Sequence, residues 1–161
     1  NTGRLPPRKG STMSTRCQVQ VQGGQNKDLV VLYHHCDGYP SNILPIIYKA
    51  FMSKSRAEHG RWQWARGGKS ASIICGADPT GFDIEPGIEL HKDIEYFYIV
   101  TVSDEHRPKW NVKVFEVNIP WNQSADQVWT YANLKRRKTW FNKIMDGSIN
   151  LLIHRLASDG Q

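Results

Sequence analysis

The sequence lacks the features of a membrane or secreted protein. No apolar run approaches the roughly 20 residues that cross a bilayer. The first apolar cluster, LVVLY, begins at Leu29 and is too short for the apolar region of a secretory signal. Cysteines are few, an odd set of three without the paired spacing of a disulfide framework: Cys17, Cys36 and Cys75. We therefore expect a cytoplasmic protein with no membrane association.

Net positive charge is absent from the body of the chain and lies at its two ends. The whole chain of 161 residues has a net charge of +6. Residues 1–12 carry three cations and no acid, residues 135–161 carry six cations and two acids, and residues 13–134 are left at −1. This distribution does not fit a wholly basic nucleic-acid-binding domain. Residues 1–12 are polar and patternless, so we interpret them as a vector-derived leader or an upstream extension before Met13.

Four segments have the composition of β-strands. CQVQVQ (17–22) alternates apolar and polar residues, and LVVLYHHC (29–36) is rich in strand-forming residues. These two segments predict an opening hairpin, and residues 94–103 and 110–119 predict a second one. We therefore predict an α+β fold with a mainly antiparallel sheet of four or five strands, built from two hairpins, with helices packed on one face.

The clearest helical pattern covers residues 42–55, where apolar residues recur every three or four positions. We predict that Asn42 caps this helix, because Pro45 is tolerated only near a helix start. Residues 56–80 contain tryptophans, glycines and one short apolar run. They fit either a short helix or an irregular packed segment.

The C-terminal segment, residues 120–161, is predicted to be helical and basic. Ser124 begins the pattern of a capping box, and apolar residues within 128–145 approximate one helical stripe. A last short helix is compatible with residues 149–157. Because the chain shows no internal repeat and no long linker, we predict a single domain from residue 13 to residue 161.

The stretch YHHCDGYP (33–40) concentrates groups that bind metals or act in catalysis. On a strand, His34 and Cys36 share one face, which Cys17 of the neighbouring strand could join, but no fourth zinc ligand is evident. His35 and Cys36 point to opposite faces, so their adjacency does not indicate a nucleophilic pair. We therefore expect a packed strand end with satisfied polar groups, no metal site and no cofactor.

The second half of this stretch predicts how the strand ends. Gly38 can adopt backbone conformations that other residues resist, and Pro40 keeps Tyr39 out of helical geometry. We interpret CDGYP first as a structural turn. The ring of Tyr39 should then pack near the following helix, with its hydroxyl on a polar partner.

The stretch GGKS (67–70) does not fit a phosphate-binding loop. Such a loop needs a glycine five positions before its Gly-Lys pair, and this chain has Gln63 there. It also needs a preceding strand, for which RWQWA is a poor candidate. We expect Gly67 and Gly68 to form a turn instead.

Carboxylates recur at alternate positions between Asp83 and Glu95, with His91 among them. Two carboxylates on one strand face suit acid–base work or a divalent cation, whereas the simpler alternative is a polar strand end. We hypothesise that this region meets the strand–turn–helix around residues 33–40. One polar patch would result, comprising His35, Asp37, Tyr39, His91, Asp93 and Glu95.

The stretch LKRRKTWFNK (134–143) interleaves cations with aromatic residues. This pattern is typical of phosphate contacts combined with base stacking. The simpler alternative is a solvated helix face whose aromatic residues cover the core. The candidate nucleic-acid-binding residues are Lys135, Arg136, Arg137, Lys138, Trp140 and Lys143.

Four stretches carry a resemblance to a known group: MSTRCQVQV (13–21), YHHCDGYPSNILPII (33–47), FDIEP (82–86) and IELHKDIEYFYIV (88–100). Together they resemble small uncharacterised proteins of bacteriophages, prophages and bacterial mobile elements. Members similarly open with Met-x-Thr-Arg and a strand, continue with a Tyr/His-x-Asp-Gly-Tyr-Pro turn into a helix, and later carry a His-x-Asp-Ile-Glu-Tyr strand. This chain departs at Lys92, where the group is expected to have glycine. The resemblance implies an origin and a layout but no activity.

No catalytic or cofactor motif is complete in this sequence. We therefore expect a non-enzymatic accessory protein of a mobile element or phage, which binds a host or phage protein or a nucleic acid. Two alternatives stay open. One is a small enzyme or metal-binding protein that uses the polar patch, and the other is a nucleic-acid-binding protein that uses the basic segment. A homo-oligomer is compatible with each of them.

Overall fold

The structure, a computed structural model, describes residues 15–23, 28–57, 66–78, 81–103, 105, 108–123 and 127–159. The expectations for residues 1–12 and for a helix cap at Ser124 fall outside these ranges. The ranges contain six strands and four helices, in the order β1 (Cys17–Gly23), β2 (Asp28–His34), α1 (Pro40–Ala57), α2 (Arg66–Ala77), β3 (Phe82–Ile84), β4 (Tyr96–Val102), β5 (Trp110–Val117), α3 (Tyr131–Leu134), β6 (Phe141–Ser148) and α4 (Ile149–Asp159).

The six strands form one mixed sheet in the order β3-β2-β1-β4-β5-β6. Neighbouring strands are antiparallel except β1 and β4, which run parallel in the middle of the sheet. The α+β class and the two predicted hairpins, β1–β2 and β4–β5, are confirmed. The sheet is mainly antiparallel, as predicted. It has six strands instead of four or five, and the prediction did not include the parallel pair. A parallel pair needs a long crossover connection, and β2, α1, α2 and β3 lie between β1 and β4 in the chain.

One face of the sheet is covered by α1, α2 and α4. Val19, Leu32 and Tyr98 point to this face and are fully buried. They belong to one apolar cluster with Ile47 of α1 and Ile74 of α2. The two-residue period of the strands and the 3.6-residue period of the helices place these side chains on one side.

The opposite face carries a second, aromatic cluster. Phe97, Phe115 and Phe141 come from β4, β5 and β6, and their ring centroids lie 4.6 to 6.3 Å apart. Leu134 of α3 and Trp129 cover these rings and are themselves buried. Helix α3 is therefore an exception to the prediction that helices pack on one face only. The two clusters explain why IEYFYIV is apolar at almost every position.

Residues 141–148 form a strand, so the prediction of a helical stripe that continues to Met145 and breaks at residues 146–148 is wrong. The apparent helical stripe is divided: Leu134 ends α3, Phe141 packs into the aromatic cluster, and Met145 packs against the helix-covered side. β6 pairs with β5 through an irregularity at Val114 and Phe115, which shifts the register by one residue. The final helix is confirmed as α4.

Helix α1 begins earlier than predicted. The backbone N–H groups of Asn42 and Ile43 both donate to the carbonyl of Tyr39, at 2.9 Å each, so Tyr39 and not Asn42 is the N-cap. Pro40 takes the first helical position, where its missing N–H has no consequence and its fixed φ suits the helix. Pro45 lies further inside the helix than expected and is exposed.

Two alternatives were left open for residues 56–80, of which the structure describes 56, 57 and 66–78, and Arg66–Ala77 form helix α2. The stretch GGKS lies within it, so the prediction of a turn at Gly67 and Gly68 is wrong. Ser70 and Ile74 are buried against the sheet side of the helix. Among the described helices, none is both long enough and apolar enough to cross a membrane.

Candidate functional site

The turn after β2 depends on two neighbouring residues with different roles. Asp37 is in the left-handed region, with φ of 53°, a conformation that Asp and Asn tolerate better than most residues. Gly38 lies against β1, where its N–H donates to the carbonyl of Thr15 at 2.7 Å. A Cβ at Gly38 would come within 2.8 Å of the Cβ of Cys17. Glycine is therefore needed for close approach, and the left-handed step belongs to Asp37.

Tyr98 fixes this turn from the helix-covered face of the sheet. Its buried hydroxyl donates to the carbonyl of Gly38 at 2.6 Å. The side-chain amide of Asn42 donates to the carbonyl of Asp37 at 2.8 Å, which ties the turn to α1. The ring of Tyr39 lies 5.9 Å from that of Tyr96. The described contacts of Asp37 and Tyr39 thus lead to α1 and β4, away from the other members of the predicted patch.

The structure brings two members of the predicted patch together around Tyr33. The rings of His35 and His91 meet the Tyr33 ring at centroid distances of 4.7 and 4.9 Å, both in edge-on arrangements. His35 follows β2 directly, and His91 lies in the loop between β3 and β4. We call Tyr33, His35 and His91 the histidine–tyrosine cluster.

Each histidine of this cluster contacts a carboxylate. Nε2 of His35 lies against Oδ2 of Asp83, and Nε2 of His91 lies 3.0 Å from Oε2 of Glu85. Both acids were recognised in the sequence as alternate carboxylates but were left out of the predicted patch. The missing information was the pairing of β3 with β2, which sets Asp83 opposite Tyr33.

Tyr33 is held as a neutral phenol. Burial raises its pKa to about 12, and the charge and hydrogen bond of Asp93 act in the same direction, against a smaller opposing effect of Arg16. Arg16 and Asp93 form an exposed pair with Nε and Oδ2 3.5 Å apart. Asp93 therefore joins the edge of the cluster.

Glu95 takes a position in the sheet through its backbone. Its N–H donates to the carbonyl of Arg16 at 2.8 Å, and its carbonyl accepts from the N–H of Val117 at 2.9 Å. These bonds connect the ends of β1 and β5 to the start of β4. The predicted patch thus divides into a cluster containing His35, His91 and Asp93, a separate turn containing Asp37 and Tyr39, and Glu95 at the sheet end.

The surface around the histidine–tyrosine cluster is open. Both histidine side chains are at least half exposed. A shallow depression of about 390 Å³ lies beside His91 and is lined by Glu85, Glu89 and Leu90 with the loop backbone between them. In the part of the chain that the structure describes, no group of three or more His, Cys, Asp or Glu side chains is arranged to hold a metal ion.

His34 lies on the other face of β2 and is buried. Its Nε2 is 2.9 Å from Oδ2 of Asp78, just beyond α2, and its ring packs edge-on against Phe82 at 4.6 Å. Cys17 is opposite it in the sheet register, and burial raises the pKa of the Cys17 thiol. Cysteine binds zinc as the thiolate, the form that burial disfavours for Cys17. Cys36 is exposed, so it does not share this buried environment.

The basic segment forms a tight surface turn after α3. Thr130 caps α3 with a reciprocal capping box to Asn133. The chain then turns twice, through hydrogen bonds from Arg137 N–H to the Leu134 carbonyl and from Trp140 N–H to the Arg137 carbonyl. This turn presents four consecutive exposed cations, which we call the basic surface: Lys135, Arg136, Arg137 and Lys138.

The aromatic residues near the basic surface are already in contact with protein groups. The guanidinium of Arg137 lies 4.6 Å from the centroid of the Trp140 ring and 5.6 Å from that of Trp129. These two indoles meet edge-on at 5.5 Å. Phe141 is buried in the aromatic cluster. These aromatic residues therefore pack as the simpler alternative predicted: they cover the core.

Lys143 is turned to a different partner. It lies on β6, and its Nζ is 2.9 Å from Oδ2 of Asp146. This contact, together with a hydrogen bond from Asn111, lowers the pKa of the Asp146 carboxyl despite some opposing desolvation. By contrast, none of the four cations of the basic surface has an ion pair with a carboxylate among the described residues. A depression of about 440 Å³ beside them is lined by Arg136 and Arg137 and, from α3 and its cap, by Thr130, Ala132 and Asn133.

Trp121 is a residue that the sequence reasoning did not select. It is 87% exposed, the highest value among the large apolar side chains that the structure describes. The ammonium of Lys92 donates to the carbonyls of Trp121 and Gln123, at 3.3 and 2.8 Å. The only signal in the sequence was a tryptophan inside turn chemistry, IPWNQ, where no apolar periodicity accounts for it.

Comparison of the chain with protein-family models, with curated proteins and with solved structures found no match in any of the three. The geometry of the two surfaces is therefore the basis for assigning a function.

Proposed function

We propose that this chain is a non-enzymatic accessory protein that binds nucleic acid through the basic surface. One observation carries the proposal: four consecutive exposed cations, of which Arg136 and Arg137 line a depression, have no carboxylate partner among the described residues. Unpaired cations at one site attract a partner with repeated negative charge. The phosphate backbone of a nucleic acid is such a partner, and releasing its counterions drives association.

The local geometry supports contact with phosphates. Arg137 is held by two indoles, which restricts its guanidinium before any ligand arrives. Arginine offers a planar set of N–H donors that matches phosphate oxygens, so a restricted guanidinium loses less conformational entropy on binding. The capping box at Thr130 and Asn133 and the turn bonds at Arg137 hold the backbone beneath these side chains.

The charge distribution supports local recognition. Residues 13–134 have a net charge of −1 and residues 135–161 have one of +4, so the segment that holds the basic surface attracts anions while the body of the chain does not. Such a protein would position a nucleic acid at one face and leave the remaining surface available to other partners.

The proposed setting is the cytoplasm of a bacterium carrying a mobile element or a phage. The support is the order of the four stretches that resemble proteins of such elements. Handling of nucleic acid is consistent with that setting. The proposal for the origin rests on the resemblance alone and is independent of the binding experiment.

The test is a binding titration with DNA and RNA oligonucleotides across a range of salt concentrations. The triple variant Lys135→Ala, Arg136→Ala, Lys138→Ala removes three cations of the basic surface while keeping the stacked Arg137. We expect it to weaken binding at least tenfold and to lower the slope of log affinity against log salt by about 2–3.

The matched control is the triple variant Lys49→Ala, Lys109→Ala, Arg155→Ala, which removes the same charge from exposed positions elsewhere. It should retain both the affinity and the salt slope. Equal losses in the two triple variants would mean that net charge, and not the basic surface, controls binding. Absence of binding by the unmodified chain would overturn the proposal.

A further inference from the structure

Trp121 exposes an indole that proteins normally bury. Tryptophan contributes more apolar area than any other side chain, and leaving it in water forgoes that stabilisation. Here 87% of it is accessible, whereas Trp110 and Trp129 are almost fully buried. Replacing Trp121 would therefore remove little packing from the fold.

The turn that carries Trp121 is fixed. The N–H of Gln123 donates to the carbonyl of Pro120 at 3.2 Å, which closes the turn. Lys92, in the loop between β3 and β4, donates to the carbonyls of both Trp121 and Gln123. The indole is therefore presented on a braced backbone, which lowers the ordering entropy that a binding partner would have to overcome.

The same turn is joined through Asn118 to the segment that carries the basic surface. The N–H of Asn118 donates to the carbonyl of Trp140 at 2.6 Å, and Trp140 lies under the guanidinium of Arg137. Ile119 is buried in the aromatic cluster with Trp129. Because three residues span at most about 11 Å, the backbone of Trp121 stays within that distance of Asn118.

We infer that the basic surface binds single-stranded nucleic acid and that Trp121 stacks against an unpaired base. This inference rests on the proposed function and specifies its substrate class. The cations would contact the backbone while the exposed indole offers an apolar face, the combination that single-strand-binding proteins use. The bases of a duplex are stacked on each other, so a single indole gains no comparable contact there.

Other rings near the basic surface are less available. The guanidinium of Arg137 lies over Trp140, and the ammonium of Lys135 lies 5.6 Å from the centroid of the Tyr131 ring. Trp129 is buried. Among the described aromatic residues of this region, Trp121 is the one whose ring is open to an incoming base.

The experiment compares an oligothymidylate of about 15 nucleotides with a DNA duplex of the same length, using the full chain. Trp121→Ala should bind the single strand about tenfold more weakly and the duplex as before. Trp121→Phe should recover much of the lost affinity, because it restores an aromatic face. Binding of the single strand should also quench the tryptophan fluorescence of the wild-type chain, and this quenching should be smaller in Trp121→Ala.

The matched control is Ile84→Ala, which shortens another apolar side chain that is 68% exposed but lies on β3, at the opposite edge of the sheet from β6. It should leave both affinities unchanged. Denaturant unfolding of Trp121→Ala should match that of wild type, so that a loss of binding is not a loss of folding.

Each other result has a defined consequence. Single-strand affinity that is unchanged in Trp121→Ala, but weakened in the basic-surface triple variant, overturns the stacking role and leaves the proposed function in place. Equal weakening of single-strand and duplex binding overturns the single-strand preference. Binding to vesicles containing phosphatidylserine, without binding to either nucleic acid, overturns both proposals and assigns the indole and the cations to a lipid surface.

Discussion

At the scale of single residues, the turn after β2 separates two properties that one glycine often combines. Asp37 adopts the left-handed conformation, while Gly38 supplies the missing side chain that lets the turn lie against β1. The sequence indicated that this stretch breaks the strand, but it did not indicate that the left-handed conformation belongs to Asp37 and the close approach to Gly38. The close approach depends on Cys17 of β1 and on Thr15, which precedes β1.

The roles of these two residues give a prediction on stability. Gly38→Val places a branched side chain within overlap distance of Cys17 and the Thr15 carbonyl, so it should destabilise the fold by about 2–3 kcal/mol. Asp37→Asn should change the free energy of unfolding by less than about 0.5 kcal/mol, because Asn also tolerates the left-handed region. Denaturant unfolding measures both. If Gly38→Val unfolds like wild type, or if Asp37→Asn is the more damaging change, the structural interpretation of CDGYP is wrong.

The candidate site was only partly predictable at this scale. The proximity of His35 and His91 was a hypothesis about two stretches far apart in the chain, and no sequence pattern requires it. Their contacts with Asp83 and Glu85 could not be predicted, since these require the register of a three-residue strand. Trp121 could not be selected either, because exposure of an indole is decided by the packing around it and not by local pattern.

At the scale of elements, prediction succeeded where periodicity is strong. β1, β2, β4 and β5 alternate or are continuously apolar, and α1 has a clear apolar face. β3 has three residues, too few for a pattern. β6, with the sequence FNKIMDGS, is an edge strand with mostly exposed residues, and its two clearest apolar residues face opposite sides of the sheet. Local pattern cannot identify such a strand, because pairing with β5 is what holds it.

The link between β4 and α1 gives an element-scale prediction. Tyr98→Phe removes the buried hydrogen bond to the carbonyl of Gly38 and should lower the free energy of unfolding by about 1–2 kcal/mol at neutral pH. Tyr39→Phe, with a side chain that is 42% exposed, is the matched control and should be nearly neutral.

The same tyrosine predicts the response to alkaline pH. Burial raises the pKa of Tyr98 well above its usual value. A group whose pKa is higher in the folded state stabilises the fold below the pKa of the unfolded chain, about 10 for tyrosine, and this stabilisation is lost as pH rises further. The free energy of unfolding should therefore fall above pH 10 in wild type and fall less steeply in Tyr98→Phe. Identical pH profiles in the two proteins would contradict this account of the buried phenol.

At the scale of the whole molecule, two surfaces with different chemistry adjoin the aromatic cluster, against which both Tyr33 and Trp140 pack. The ends of β1, β2 and β4 carry the turn, and the histidine–tyrosine cluster lies near them. The segment that covers the aromatic face carries the basic surface and, through the hydrogen bond between Asn118 and Trp140, the turn with Trp121. The sequence predicted the α+β class from its strands and helices. It could not predict that Ile119, Trp129 and Leu134 cover one face of the sheet, because that covering follows from long-range packing of the aromatic rings.

The central claim is that nucleic acid binds at the basic surface and not at the histidine–tyrosine cluster. The most direct measurement is a map of amide chemical-shift changes in the isotope-labelled chain as a single-stranded oligonucleotide is added at low salt. The account predicts that the largest changes lie at residues 135–138 and around Trp121, and that they reverse when salt is raised. Changes concentrated at His35 and His91, with residues 135–138 unaffected, would contradict it.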